Sequence, residues 1–191
     1  MGKMPEMRLF IAIPSSEYIR KKLVAIQNKL KKSVENFRWS SPETFHLTLK
    51  FIGEVELNNV APICKVTERI VRENRAGILT LQSLGSFGSP QNPRVIWAGF
   101  AGDLQNLEKM ADELDEAMAD FGIKPEHKKF NPHLTLGRAK RNADGMAVQR
   151  AIAEYEGFYI CDYEIDRVVV FESVLQSGGA DHHPIKTINL K

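Results

Sequence analysis

The chain has 191 residues, of which 43% are hydrophobic and 26% are charged, proportions that are usual for a soluble globular protein. Its formal net charge of only +2 argues against a protein that wraps duplex nucleic acid, because that needs a dense basic surface. A grip on one phosphate or one strand end remains compatible with that charge. Two cysteines, Cys64 and Cys161, are too few for a disulfide scaffold, and no stretch reaches the length of a membrane span. The apolar run Leu9–Ile13 is also too short for a signal peptide, so we expect a cytoplasmic protein with reduced thiols and no membrane contact.

The first half of the chain predicts strands alternating with helices, because apolar residues change from β-type runs to helical spacing and back. The predicted elements are a buried strand over 8–13, a helix capped by Ser15 or Ser16, an extended segment over 37–39, a turn over 40–43, a strand over 45–52 that stops at Gly53, and a helix over 57–74.

The second half predicts more strands and fewer helices. Its predicted elements are strands over 78–81 and 94–98 around a loop over 85–93, a helix over 103–121 ended by Gly122, a basic loop over 125–132, a motif strand from Pro132, a helix over 143–154, and strands over 158–163, 167–175 and 185–190 with a reversal at Gly178 and Gly179.

One four-residue motif occurs twice, as His46–Leu49 and as His133–Leu136, each reading His-Leu-Thr-Leu. In a strand, the histidine and threonine share one face and the two leucines share the other. The leucine face is typical of a core, whereas the other face carries an imidazole and a hydroxyl roughly 6.6 Å apart. With five histidines and six threonines in the chain, two His-x-Thr triplets arise by chance with odds of about one in a hundred. Coincidence is therefore a poor explanation of the pair.

The two motifs lie about half a chain apart, and no Gly/Ser-rich linker separates the halves. Together with the element order, this predicts an internally duplicated, bilobal α+β fold. Antiparallel sheets would line a central cleft, with helices packed on the outside. We expect residues 1–191 to form a single domain with two lobes, acting as a monomer.

Two histidines facing one small anion suit in-line displacement at phosphorus. One neutral imidazole would take a proton from the attacking water, and one imidazolium would give a proton to the leaving oxygen. The hydroxyls of Thr48 and Thr135 would donate hydrogen bonds to the non-bridging oxygens, where charge develops. No protein nucleophile is needed if water opens a ring bond of the substrate itself.

With its flanking residues, each motif resembles the RNA 2′,3′-cyclic phosphodiesterase (2′-5′ RNA ligase) family of the two-histidine phosphoesterase superfamily. The matching segments cover nearly the whole chain in the expected order: 8–12, 39–43, 45–55, 93–97 and 130–138. The resemblance implies a bilobal α+β fold with both motifs in a central cleft, and an RNA 3′ end as the partner. It also implies hydrolysis of a terminal RNA 2′,3′-cyclic phosphate to a 2′-phosphate, and a weaker, reversible 2′-5′ ligation of tRNA halves.

The same resemblance implies catalytic roles for His46 and His133, and phosphate binding by Thr48, Thr135 and Arg138. Strict alternation would put Arg138 on the face opposite His133, so we predict a bulge or a strand exit at Gly137 that brings it back. The first motif has Phe51 at the position that corresponds to Arg138, and the two halves should therefore bind phosphate unequally.

Several alternatives remain at this point. Histidine is a common metal ligand, but neither motif has a cysteine or carboxylate beside it in the strand, and we expect no metal and no cofactor. The chain could instead be a nucleotide-binding module without catalysis. A third alternative is the same chemistry on a small nucleotide such as ADP-ribose 1″,2″-cyclic phosphate. Of the other histidines, we expect His127 in a loop and the pair His182–His183 in a solvated turn.

A 2′-phosphate product requires O3′ to leave from phosphorus. In-line geometry places the base and the acid on opposite sides of the phosphorus atom, so one histidine does not serve both ends at once. We predict His46 as the donor to O3′ and His133 as the base for water.

Overall fold

In a computed structural model, the chain forms two antiparallel β-sheets and four α-helices, which confirms the predicted α+β class. The structure describes residues 5–126, 129–141, 143–176 and 179–191. The predictions made for His127 and Gly178 lie outside these residues. Within the described ranges, no helix is both long enough and apolar enough to cross a lipid bilayer.

The strands are β1 (Glu6–Pro14), β2 (Phe37–Trp39), β3 (His46–Glu56), β4 (Gly77–Ser89), β5 (Asn92–Ala101), β6 (His133–Ala139), β7 (Tyr159–Ile165), β8 (Arg167–Gln176) and β9 (Gly179–Asn189). The α-helices are α1 (Glu17–Leu30), α2 (Leu57–Glu73), α3 (Gln105–Met118) and α4 (Gly145–Ala153). Sheet A has the strand order β3-β1-β8-β9, and sheet B has the order β2-β6-β5-β4-β7. Each sheet therefore contains one of the two motif strands.

Helices cover one side of each sheet and leave the other side to the motifs. Helices α2 and α3 pack on sheet A, whereas α1 and α4 pack on sheet B. Helix α1 begins where the sequence predicts, because the hydroxyl of Ser16 accepts a hydrogen bond from the backbone N–H of Ile19. Its buried apolar residues are the predicted ones, Ile19, Leu23, Ile26 and Leu30. The apolar core draws on both sheets, and Tyr163 of β7 ties them by donating to the Ile13 carbonyl of β1 at 2.9 Å.

The predicted loop over 85–93 is wrong. Strand β4 continues to Ser89 and β5 starts at Asn92, so the two strands form one long hairpin. Gly85, at the start of this stretch, serves packing and not chain reversal. A β-carbon on Gly85 would lie 2.3 Å from the indole of Trp97, which pairs with it across the hairpin. A residue type that is common in turns is used here because it leaves room for the large side chain of a neighbouring strand.

Two strand ends also differ from the predictions. Strand β3 passes through Gly53, which has a φ of +85°, and continues to Glu56. Strand β9 begins at Gly179 and not at Ile185, because residues of low β-propensity are held by a ladder to β8. This second difference moves His182 from a predicted turn into a sheet.

Candidate active site

In sheet A, an irregularity in β3 decides which side chains share the motif face. Residues His46, Thr48 and Phe51 pair with every second residue of β1 from Pro14 to Phe10, and Leu49 is left without a partner. Since β1 is regular through this stretch, these three side chains lie on one face. Both motif leucines lie on the buried face, as predicted.

Sheet B repeats the same device. His133, Thr135 and Arg138 pair with every second residue of β5 from Gly99 to Val95, and Leu136 is the extra residue. The predicted break in alternation is confirmed, one residue before Gly137. Arg138 therefore lies on the same face as His133, and the two motif strands carry equivalent bulges.

The reason for glycine at position 137 is packing and not backbone strain. A β-carbon there would lie 3.0 Å from the ring of Trp39 and 3.3 Å from the carbonyl oxygen of Arg38 on β2. The equivalent position of the first motif holds Lys50, which is 2% exposed and pairs with Asp115 of α3. Removing Asp115 would leave the buried ammonium of Lys50 with only the more distant carboxylate of Glu126, at 3.8 Å, and breaking a buried ion pair typically costs about 3–5 kcal/mol.

A buried glutamine of α1 supports the bulge in β6. The side-chain amide of Gln27 donates to the carbonyl oxygens of Leu136 at 2.8 Å and Ser40 at 2.9 Å. The backbone N–H of Ser40 also donates to Leu136, at 2.9 Å. These bonds satisfy the carbonyl that the bulge takes out of the ladder, and they hold the strand segment that carries Arg138.

The two motif faces meet in one cleft. Strands β3 and β6 are in contact, and the charges of both His133 and Arg138 lower the pKa of His46. The structure thus brings together the five predicted site residues, His46, Thr48, His133, Thr135 and Arg138, with the threonines half-buried beside the histidines.

Each histidine ring is held from behind by the backbone two residues earlier. Nδ1 of His133 lies 2.7 Å from the carbonyl oxygen of Asn131, and His46 makes a backbone hydrogen bond at Thr44. In neutral His133, Nδ1 then carries the hydrogen and donates it, so Nε2 is the nitrogen left to exchange protons.

Burial favours the neutral form of both rings in the ligand-free protein. The pKa of His46 falls from 6.5 to about 3, mainly because burial disfavours its charge and next because His182 is close. Burial is also the main cause that lowers the pKa of His133, against the raising effect of its hydrogen bond to Asn131. A phosphate anion bound between the rings would raise both pKa values, because an opposite charge favours the imidazolium.

His182 is the site neighbour that the sequence did not reveal. Its prediction as a solvated turn residue is wrong, because it lies in β9, is half-buried and has its ring centroid 5.1 Å from that of His46. The residue beside it, His183, is exposed as expected. The sequence offered little signal for His182 as a site residue, because the glycines that precede it favoured a turn.

Over the described part of the chain, no group of three or more histidine, cysteine, aspartate or glutamate side chains is arranged to hold a metal ion. The cleft offers imidazoles, hydroxyls and one guanidinium. These are groups that transfer protons to and from a phosphate ester and stabilise its negative charge.

Known proteins are similar to this chain along most of its length. The family model of LigT-like phosphoesterases matches residues 13–97 and 102–180, and each matched segment contains one motif. The chain belongs to the LigT-like phosphoesterase family. Two relatives of this phosphoesterase are named RNA 2′,3′-cyclic phosphodiesterase. The one from Thermotoga maritima is 33% identical over 173 residues, which is 91% of this chain and 90% of that protein. The one from Archaeoglobus fulgidus is 32% identical over 174 residues, 91% of this chain and 94% of that protein.

Solved structures give the same result for the fold. TT0787 of Thermus thermophilus superposes with a TM-score of 0.81 at 23% identity, covering 96% of this chain and 97% of that one. Escherichia coli LigT in complex with 3′-AMP superposes with a TM-score of 0.79 at 25% identity, covering 98% and 99%. The two motif strands therefore lie in the sheets of a known fold. The family model and the curated relatives show that this LigT-like phosphoesterase is an enzyme.

Proposed function

We propose that this enzyme hydrolyses the terminal 2′,3′-cyclic phosphate of RNA to a 2′-phosphate, using His46 and His133 as an acid–base pair. The observation that carries the proposal is the convergence of two equivalent bulged strands, which presents both imidazoles and Arg138 to one cleft. The names of the relatives support the RNA substrate, and the 3′-AMP bound by LigT shows a ribose phosphate in a similar fold.

The reaction needs only water and side chains. The water oxygen attacks phosphorus while one imidazole takes its proton, and the P–O3′ bond breaks as the other imidazole protonates O3′. Thr48, Thr135 and Arg138 donate hydrogen bonds to the non-bridging oxygens, where negative charge increases in the transition state. If the 5′-hydroxyl of a second RNA end attacks phosphorus in place of water, the same loss of the P–O3′ bond forms a 2′-5′ linkage, which would account for a weaker ligase activity.

The assignment of His46 as acid and His133 as base stays a prediction. The ligand-free pKa order favours the reverse, since His46 has the more strongly lowered pKa and a neutral imidazole is the better base. Substrate binding places an anion between the rings and changes both values. The leaving-group experiment described in the Discussion distinguishes the two assignments.

Turnover of three substrates tests the proposal. An oligonucleotide ending in a 2′,3′-cyclic phosphate is expected to be converted to the 2′-phosphate with a higher kcat/KM than a cyclic mononucleotide or ADP-ribose 1″,2″-cyclic phosphate. Product position is read by ³¹P NMR. A higher kcat/KM for the small nucleotides would assign the enzyme to them. Binding of all three without turnover would identify a non-catalytic module and contradict the proposal.

Metal removal is expected to leave turnover unchanged. The reason is that the acid, the base and the charge-stabilising groups are all side chains of the cleft. The measurement compares initial rates of the enzyme before and after exhaustive chelation, with a metalloenzyme treated in parallel as the positive control. Loss of turnover that zinc or magnesium restores would contradict this prediction.

Replacing Arg138 is expected to affect the chemical step strongly. Arg138→Met should lower kcat/KM by ~10²-fold, since it removes a charged donor from the face that carries His133. Arg138→Lys should recover only part of the loss, because an ammonium does not reproduce the planar fork of the guanidinium. The matched control is Arg69→Met, which should keep full activity. Arg69 is an exposed residue of α2, on the side of sheet A away from the cleft. Full activity of Arg138→Met would exclude its role.

A further inference from the structure

A second imidazole lies against His46 from the far edge of sheet A. The ring of His182 meets that of His46 edge to face, with centroids 5.1 Å apart and an interplanar angle of 69°. It also packs edge to face on Phe10, at 4.7 Å. His182 pairs with Ser173 of β8, on the side of the sheet that carries Phe171 and the motif histidine. The fold therefore brings β9 to the cleft although β9 and β3 are opposite edges of the sheet.

The other motif histidine has no such neighbour among the described residues. His133 packs on Phe87, at 4.8 Å, and faces Trp97, at 6.3 Å, both uncharged rings. His46 likewise packs on Phe10, at 4.8 Å, and faces Phe171, at 6.3 Å, but its remaining ring contact is the titratable imidazole of His182. The two halves therefore have equivalent bulges, but they differ in the rings that surround their motif histidines.

The side chain of His182 has no hydrogen-bond partner within the described ranges, and its recorded contacts are with rings. The charged groups that act on it are its strand neighbours Asp181 and His183. Those that act on His46 are His182 from β9 and His133 and Arg138 from β6. His182 is thus the titrating group that touches His46 from its own sheet.

We propose that His182 is a positioning residue for His46: its imidazole packs edge-on against the His46 ring, limits its rotation and, once protonated, opposes a second positive charge there. The proposal rests on the assigned role of His46 in catalysis. Its consequence is an unequal pair of histidines, because among the described residues only His46 has a further imidazole in ring contact with it.

Electrostatics supports this reading. The charge of His182 is the second cause, after burial, of the low pKa of His46. Burial lowers the pKa of His182 as well, and the Asp181 carboxylate opposes that shift. A proton on His182 keeps His46 neutral to a lower pH than burial alone would.

An NMR titration of the histidine ring signals tests the proposal without any substrate. His182→Gln removes the imidazole and keeps a polar side chain, whereas His182→Phe keeps a ring that fills the same space. In both variants, the midpoint for His46 is expected to move to higher pH while that of His133 stays in place. His183→Gln, on the exposed side of the same strand, is the matched control and should move neither.

The outcomes separate charge from packing. An unchanged His46 midpoint in both His182 variants would overturn the proposal. A rise in His182→Gln alone would overturn its electrostatic part, because it would show that loss of packing exposes the ring. Retained amide dispersion in both variants shows that each is folded. Because this readout needs no turnover, it stands even if the proposed substrate is wrong.

The pH profile of kcat/KM supplies the functional readout. The limb of the profile that His46 controls should move to higher pH in both variants: the basic limb if His46 is the acid, as predicted, and the acidic limb if it is the base. On that limb, kcat/KM should differ ~3–10-fold from that of the wild type. KM at neutral pH should be unchanged. A rise in KM with an unmoved limb would instead make His182 a substrate contact and would overturn the positioning role.

Discussion

His46→Ala and His133→Ala are each expected to lower kcat by at least ~10²-fold, with smaller changes in substrate binding. Each variant lacks one of the two proton transfers of an in-line displacement. The remaining imidazole lies on the wrong side of phosphorus to replace it. Single-turnover rates on a 2′,3′-cyclic oligonucleotide measure the chemical step, and the equilibrium binding of a 2′-phosphate product measures the binding change.

The double variant makes this prediction sharper. Groups that act as one unit are not additive, so His46→Ala/His133→Ala should lose much less than the product of the two single losses. His183→Ala provides the matched control, since it removes an exposed imidazole of the same chain. A single variant with near-full activity would show that the two-histidine mechanism is wrong.

A substrate whose 3′ leaving group needs no protonation is expected to rescue one histidine variant and leave the other inactive. Such a leaving group departs without a proton from the acid, whereas the base is still required to activate water. Recovery in the rescued variant should approach the full ~10²-fold loss that the acid's removal causes. The comparison uses rates of each variant on the activated and the natural substrate, normalised to the wild type.

The variant that recovers identifies the acid. Rescue of the His46 variant would confirm the prediction made from the sequence, and rescue of the His133 variant would establish the order that the ligand-free pKa values favour. Rescue of both variants, or of neither, would contradict a division of labour between the two rings. The His182 variants provide a further comparison, because they change the group in contact with His46 and keep the His46 imidazole itself.

Local pattern predicted a large part of the site. Alternation with period two is a property of any strand, so the buried leucines and the shared face of each histidine and threonine follow from residue order. The same parity argument showed that Arg138 needs an irregularity to share the face of His133. It located that irregularity within one residue, because a ladder with an extra residue is the usual way to change faces.

Composition misled where a residue serves a neighbour distant in the chain. Gly85 resembles a turn residue, but it makes room for Trp97 on the next strand. The glycines before His182 suggested a reversal, yet pairing with β8 holds that segment in a sheet. In both places the energy that decides the backbone comes from cross-strand contacts, which single-chain propensities do not contain.

The sequence by itself determined the class of the fold and the two motif faces, because these depend on local periodicity and on residue chemistry, and the family resemblance added Arg138 to the predicted site residues. Only the tertiary structure decided which groups touch them: Gln27 at the bulge carbonyl, His182 against His46, and the charges of His133 and Arg138 within reach of His46. Their partners are far apart in the chain, and the pKa of an imidazole depends on burial and on charges in space, whatever their separation in sequence.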